Sequence, residues 1–317
     1  MSSSKVVVIG DACVDMLIRL PDLSEKKTDI RESVPNLQGG GTAANVAVAL
    51  TRLGIPVSLF GAIGDDAYGR WVCNDLKKEG VDITGVNQIQ NAFTPMVLAL
   101  INSEGERHTV VWPSEGGAHF KFQSEMIKKE IIESASWVHV TGMCLREPPS
   151  RDAILTAMEM AREAQIKISL DLNLRLELWG LDNTTRAVFD QAIELSDVVL
   201  GSAKEEFIPY TGRESIENAS QIICGGKRIV AARSGKDGVR ITTSEDSFSV
   251  PAFDTEVVDT VGAGDAFNSG FIAACLHGLD LLEAARWGNA VASLKVGQSG
   301  ARALPDLQAV KQRLELV

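Results

Sequence analysis

Short apolar, β-branched runs alternate along nearly the whole chain with stretches whose apolar positions recur at helical spacing. Lys5 to Ile9 is a continuous β-branched run, as in a strand buried on both faces of a parallel sheet. Val57 to Ile63, Trp137 to Met143, Lys167 to Asp171 and a run ending near Leu200 read as further strands, and Val239 to Thr242 as another. Between and after them, helices are predicted from the Ala-rich stretch that follows Thr42 and closes at Leu53-Gly54, from Ala67 to Glu79, from Pro148 to Gln165 and from Leu282 to Val296. Strand and helix taking turns in this way predicts an α/β fold: a doubly wound, mostly parallel sheet with helices on both faces. Two segments break the pattern. Met16 to Leu37 has short alternating pieces and many charges, and Thr94 to Ile101 with His108 to Val111 brackets a polar turn as a hairpin, so both are expected to be exposed β structure.

Late in the chain, Phe248 to Val258 alternates and reads as strand, while Phe271, Ala274 and Cys275 recur at helical spacing. The stretch between, Asp259-Thr260-Val261-Gly262-Ala263-Gly264-Asp265, is therefore a turn into a helix. Small residues there let a ligand approach the backbone, and the unpaired amides of a helix's first turn attract an anion. Asp265 beside such a hole is either an ordinary first-turn acid or a base that takes a proton from an alcohol attacking a bound phosphate.

Other positions invite chemistry. Gly39, Gly40 and Gly41 precede the first predicted helix; they serve a tight turn, or they let a polyol lie against the backbone with Asn45 donating to and accepting from its hydroxyls. Asp171, Asn173 and Arg175 fall at every second position and, if the chain is extended there, share one side at the ligand-facing end of a strand. Asp15 follows the first strand and reads as a turn residue or as an acceptor for a ligand. His139 sits within an apolar strand and is expected to be a core residue with its polar atoms satisfied.

Composition narrows the choice. The chain has 317 residues, 45% of them hydrophobic, without a linker of biased composition, which suggests one domain over residues 1–317. No apolar run is long enough to span a membrane, and the N-terminal run is too short for a signal peptide. The five cysteines are scattered and odd in number, which predicts neither disulfides nor zinc and fits a cytoplasmic protein. A net charge of -11 argues against nucleic acid as a partner. Gly-x-x-x-x-Gly-Lys-Ser/Thr and Gly-x-Gly-x-x-Gly are both absent, so any phosphate must rest on the Gly262 to Asp265 amides.

The run from Asp259 to Phe267 resembles the C-terminal signature of the ribokinase/PfkB carbohydrate kinases, and Gly40-Gly41 with Asn45 resembles their N-terminal one. The resemblance covers nearly the whole chain and implies an ATP-dependent kinase that phosphorylates a primary hydroxyl of a small carbohydrate, with Asp265 as base and the Gly262, Ala263 and Gly264 amides stabilising the phosphoryl in transfer. It also implies that Asp15, Gly40, Gly41, Asn45 and Asp171 hold the sugar, and that segments near 14–38 and 92–113 form a β-sheet lid bringing Arg107, Trp112 and Glu115 near it. The pattern Asp-x-Asn-x-Arg-x-x-Leu-Trp from Asp171 is similar to that of the fructokinase and 2-keto-3-deoxygluconate kinase branch, which adds Arg175 to the sugar-facing residues. For ATP, the resemblance points to Ser202, to the turn Ser234, Gly235 and Gly238 (which otherwise is a hairpin turn) and to Asn289 near adenine. Glu205 is expected to hold the waters of Mg2+, and Asp259, Val261 and Gly300 to hold a monovalent cation such as K+.

Two departures stand out. Ser202 occupies the place of a family Asn, and Val111-Trp112-Pro113 the place where sugar-acid kinases of the branch carry Tyr-Tyr-Arg. The substrate expectation is thus a ketose such as fructose or a sugar acid such as 2-keto-3-deoxygluconate. The alternatives are a riboside or nucleoside kinase and a catalytically silent regulator that binds sugar or nucleotide. A homodimer through the lid, as in relatives with an exposed lid sheet, completes the expectations.

Overall fold

The computed structural model describes residues 5–20, 34–102 and 107–315. The tip of the hairpin and most of the first exposed β segment therefore lie outside the described residues.

β1 (Val6–Ile9) lies near the middle of a large sheet because its side chains are apolar on both faces: Val6 and Val8 pack into one core, Val7 and Ile9 into the other. The strands β4 (Val57–Gly64), β5 (Asp82–Ile89), β8 (Trp137–Thr141), β9 (Lys167–Asp171), β10 (Val198–Ser202), β11 (Ile229–Arg233), β12 (Val239–Thr242) and β13 (Ser247–Val250) complete it in the order β13-β12-β11-β10-β9-β8-β1-β4-β5. All neighbours are parallel from β5 to β11, while β12 and β13 pair antiparallel at one edge. The chain runs from β1 outward to β4 and β5, then returns to place β8 on β1's other side. Such a reversal of strand order opens a crevice at the carboxyl ends of the strands.

One core lies under α1 (Thr42–Arg52), α2 (Ala67–Lys78), α9 (Ala263–Leu276), α10 (Leu281–Val296) and α11 (Leu307–Glu315). The other lies under α4 (Ser150–Glu163), α6 (Asn183–Leu195) and α8 (Ile216–Cys224), with the short helices α3 (Lys129–Glu133), α5 (Leu176–Trp179) and α7 (Ile208–Thr211) around it. The doubly wound architecture expected from the sequence is thus what the chain adopts. A separate sheet of order β3-β2-β6-β7 is made by β2 (Cys13–Arg19), β3 (Asn36–Gly40), β6 (Met96–Ile101) and β7 (Arg107–Trp112). It joins the first exposed segment to the hairpin, with β2 and β6 parallel and the other pairs antiparallel.

Several boundaries differ from the sequence reading. The strand expected over Phe248 to Val258 ends at Val250, and 251–260 has no regular pairing. Pro251 has no N–H for a ladder, and Asn289 Nδ2 takes the Val250 and Pro251 carbonyls at 3.1 and 2.9 Å. β5 was missed because its mixed sequence is that of a half-exposed strand, here at the end of the sheet. The stretch from Asp171 to Arg175 is not extended: Asn173 and Arg175 have φ of 41 and 48°, so their side chains do not line up with Asp171. His139 is fully buried and only half satisfied. Its Nδ1 meets Ser169 Oγ at 2.8 Å, while Nε2 has no partner among the described residues, and burial pushes its pKa down to about 4.

Candidate active site

The first turn of α9 is where the crevice acquires chemistry. Gly262 caps the helix at φ 82°, a conformation open to glycine, and a Cβ there would stand 2.8 Å from the Ala301 carbonyl oxygen. Ala263 N–H is spent on the Thr260 carbonyl at 3.1 Å, and Ala266 N–H on Gly262 at 2.9 Å. Among the described residues, no acceptor takes the Gly264 and Asp265 amides. Of the Gly262, Ala263 and Gly264 amides expected to face an anion, that of Ala263 is thus already consumed by the tight turn. α9 is buried continuously from Asp265 to Ala274, while Gly262, Ala263 and Gly264 at its start are half-buried.

Asp265 is 6% exposed, and its carboxylate accepts from Asn45 Nδ2 at 2.8 Å. Burial is the main force on it and pushes its pKa up to about 7; Asp171 and Asp11 add to the rise, while the Asn45 bond and Arg233 oppose it. Asn45 is oriented in turn. Its Oδ1 accepts from Arg302 Nε at 3.2 Å, which directs its Nδ2 hydrogens to Asp265. Arg302 is buried and held by Asp75 on α2 and by the Gly40 carbonyl at 3.2 Å. A side chain at Gly39 would collide with Arg302, and one at Gly40 would place its Cβ 2.6 Å from Asp15 Cγ. The glycine cluster thus makes room for an arginine and a carboxylate. Asp15 itself is buried on β2, opposite Gln38, which puts an acid of the small sheet against Gly40, two residues before α1 begins.

A second set converges from the strand ends. Arg233, at the end of β11, donates to Asp171 at 2.9 Å, to the Gly264 carbonyl at 3.2 Å and to Asn268 Oδ1 at 2.5 Å; Asn268 Nδ2 also reaches Asp171 at 2.8 Å. Asp171 therefore faces the floor of the crevice through a fixed cationic partner. Glu206 lies 3.9 Å from Arg233 and accepts the Ser202 and Leu174 amides. Burial and then Asp171 push its pKa up to about 7. Asp11, at the end of β1, accepts from Thr42 N and Oγ1 at 3.0 and 2.7 Å and so caps α1 from outside the helix.

Of the expected residues, Asp265, Gly262, Gly264, Asn45, Gly40, Gly41, Asp15 and Asp171 come together around this crevice. Glu205 is exposed, and the adjacent Glu206 faces inward instead, because the turn after Ser202 is wound so that the second of the two acids points at Arg233. Arg175 is also exposed and lies 4.0 Å from Glu177. Arg107 belongs to β7 through its backbone, paired with Ile101. Ser202, Ser234, Gly235 and Gly238 line the ends of β10 and β11, where Ser234 N–H donates to Gly238 at 2.8 Å and the chain turns directly into β12. Asn289's amide hydrogens serve the Val250 and Pro251 carbonyls. Asp259 accepts from Val261 and Gly300 amides at 3.0 and 2.9 Å.

Sequence reasoning missed Arg233, Asn268, Glu206 and Arg302. Asn268 had a signal, since three residues after Asp265 it shares a helix face. A charged residue closing the run Ile229 to Ala232 was another. Arg302 had none, being far along the chain from everything it touches.

The profile described as pfkB family carbohydrate kinase matches residues 3–307 of the chain. The chain belongs to that family. Among curated relatives, the 5-dehydro-2-deoxygluconokinase of Clostridium tetani is 30% identical over 86% of this kinase and 83% of its own length. An ATP-dependent ribose-1-phosphate kinase of Halopiger xanaduensis is 32% identical over 96% of both chains. Among solved structures, a double mutant of the fructokinase of Vibrio cholerae O395 in fructose-, ADP- and potassium-bound form is 30% identical, covers 99% of both chains and superposes with a TM-score of 0.83. The kinase is a carbohydrate kinase, and nucleotide and a metal ion are found in that relative. No helix among the described residues is long and apolar enough to cross a membrane.

Proposed function

We propose that this kinase transfers the γ-phosphoryl of ATP to a primary hydroxyl of a neutral ketose, with Asp265 as the base. One observation carries the reading: a buried carboxylate, its pKa pushed up to about 7, stands in a helix turn whose next-door amides have no acceptor among the described residues. A base poised at the operating pH is effective, and free amides at a helix N-terminus suit a phosphoryl group. Asp265 removes the hydroxyl proton, the oxygen bonds to the γ-phosphorus, the bond from phosphorus to the β,γ-bridging oxygen breaks, and ADP leaves. The Gly264 and Asp265 amides receive the charge of the moving phosphoryl. Asp15, Gly40, Gly41, Asn45 and Asp171 orient the sugar, Arg107 of the lid approaches it, and the small sheet excludes water.

Ser202, Ser234, Gly235, Gly238 and Asn289 form the nucleotide side. Glu205, exposed at the end of β10, is the acid left to anchor water ligands of Mg2+, since both carboxylate oxygens of the buried Glu206 are taken by the Ser202 and Leu174 amides. When bound, Mg2+ supplies charge neutralisation of the phosphates. Arg233 and Arg302 are both already engaged by acids and carbonyls, so neither is left over for a substrate carboxylate. That favours the ketose over a sugar acid. Free thiols at all five cysteines accord with a cytoplasmic setting, and the exposed Val110, Val111 and Trp112 of β7 accord with a homodimer through the lid, testable by light scattering.

The experiment is ADP release across fructose, 5-dehydro-2-deoxygluconate and ribosides, with Asp265→Asn alongside. Fructose should give the highest kcat/KM, and Asp265→Asn should lower kcat by roughly 10²–10⁴ while nucleotide affinity is retained. A higher value for the acid would overturn the ketose assignment, and near-normal turnover by Asp265→Asn would remove the base.

A further inference from the structure

Lys295, in the last turn of α10, is fully buried, and its Nζ donates to the Asp259 carbonyl oxygen at 2.7 Å. This is the same residue whose backbone the resemblance assigns to a monovalent cation. A buried ammonium is costly unless acceptors surround it, so its position is set by what it holds. Backbone and carboxylate bonds fasten the same segment: Val258 and Asp259 amides donate to the Val296 carbonyl at 2.8 and 3.1 Å, and the Asp259 carboxylate spans the Val261 and Gly300 amides. Three residues later comes Gly262, the cap of α9, so Asp259 lies within about 10 Å of the residue that sets the start of the helix.

Potassium does not fit this arrangement as expected, since a cation bound at the Asp259 carbonyl would meet the ammonium already bonded there. We propose that Lys295 is a tethered replacement for the monovalent cation: its ammonium holds the Asp259 to Gly262 segment, and with it the Gly264 and Asp265 amides, in position without dissolved K+. Lys295 is a positioning residue, since it touches the loop and not the reacting groups. A charge on the chain is present at full occupancy, and the ordering no longer depends on an ion that dissociates.

The test compares KCl, NaCl and choline chloride at equal ionic strength, on ligand-free protein by thermal melting and on the full kinase by ADP release. For the wild type, the melting temperature should be the same in all three salts and turnover should change by less than about twofold. Lys295→Met, which keeps the apolar stem and removes the charge, should melt lower in choline, recover in KCl by mass action and regain roughly tenfold in activity. Wild-type melting or activity that requires K+ would overturn the proposal, as would a Lys295→Met protein that is stable, active and indifferent to the salt. If Lys295→Met does not fold, the wild-type comparison decides by itself. The melting arm needs no substrate, so a wrong sugar assignment leaves it intact; only the activity arm rests on the kinase reaction proposed above.

Discussion

Replacing Asn45 by Ala should move the acid limb of the pH–rate profile. Asn45 Nδ2 gives Asp265 a hydrogen bond of 2.8 Å, and this bond is the largest influence holding the carboxylate's pKa down against burial. A hydrogen bond to a charged group contributes roughly 1.5–3 kcal/mol, and each pKa unit corresponds to about 1.36 kcal/mol, so its loss raises the pKa by about one to two units. The base works when ionised, so activity rises with pH through the pKa. With the Asp265 pKa pushed up to about 7, the wild-type limb should lie near there; in the variant it should lie at about 8 to 9, and kcat/KM at pH 7 should fall roughly 5- to 50-fold from this effect. Asn45 is also proposed to touch the sugar, but losing that contact lowers kcat/KM by the same factor at every pH. The assay is kcat/KM for the sugar at saturating ATP across the neutral to alkaline range. A limb that stays near pH 7, with activity lowered uniformly, would refute the claim that Asn45 tunes the base.

Arg233→Met should destabilise the fold by roughly 3–5 kcal/mol, because Asp171 and Glu206 lose their buried cation. The loss in urea unfolding should be larger well above pH 7 than well below it, since Glu206, with a pKa of about 7, is charged only at the higher pH. In the unmodified kinase, Asp265 and Glu206 have raised folded-state pKa values, so the stability they contribute is present in acid and is lost as pH rises through about 7. Substituting Asn for either acid should flatten that slope in denaturation measured against pH. Gly40→Ala drives a Cβ against the Asp15 carboxylate and should cost about 1–3 kcal/mol of folding or sugar binding, read as a lowered melting point or a raised KM.

Much of the layout was legible because periodicity is a local property. The two-faced burial of Val6 to Ile9, the extent of Lys167 to Asp171 and the helix opening after Gly41 follow from patterns within a few residues. Gly262 to Asp265 was readable as a helix-opening turn for the same reason, whereas a catalytic role for Asp265 came from the family resemblance and not from periodicity. What depends on partners far along the chain was not legible. Arg302 meets Asn45 and Asp75 across more than two hundred positions, and nothing near residue 302 announces it. The inward Glu206 and outward Glu205 are separated only by how one turn is wound. Lys295 reads in sequence as a basic residue suited to a helix's last turn; only the packing of α10 against the 258–259 segment buries its ammonium on the Asp259 carbonyl. Sequence determines which groups exist and where the chain bends. Their burial and pairing, which set pKa and charge, belong to the tertiary structure, because electrostatic cost is fixed by what surrounds a group in space.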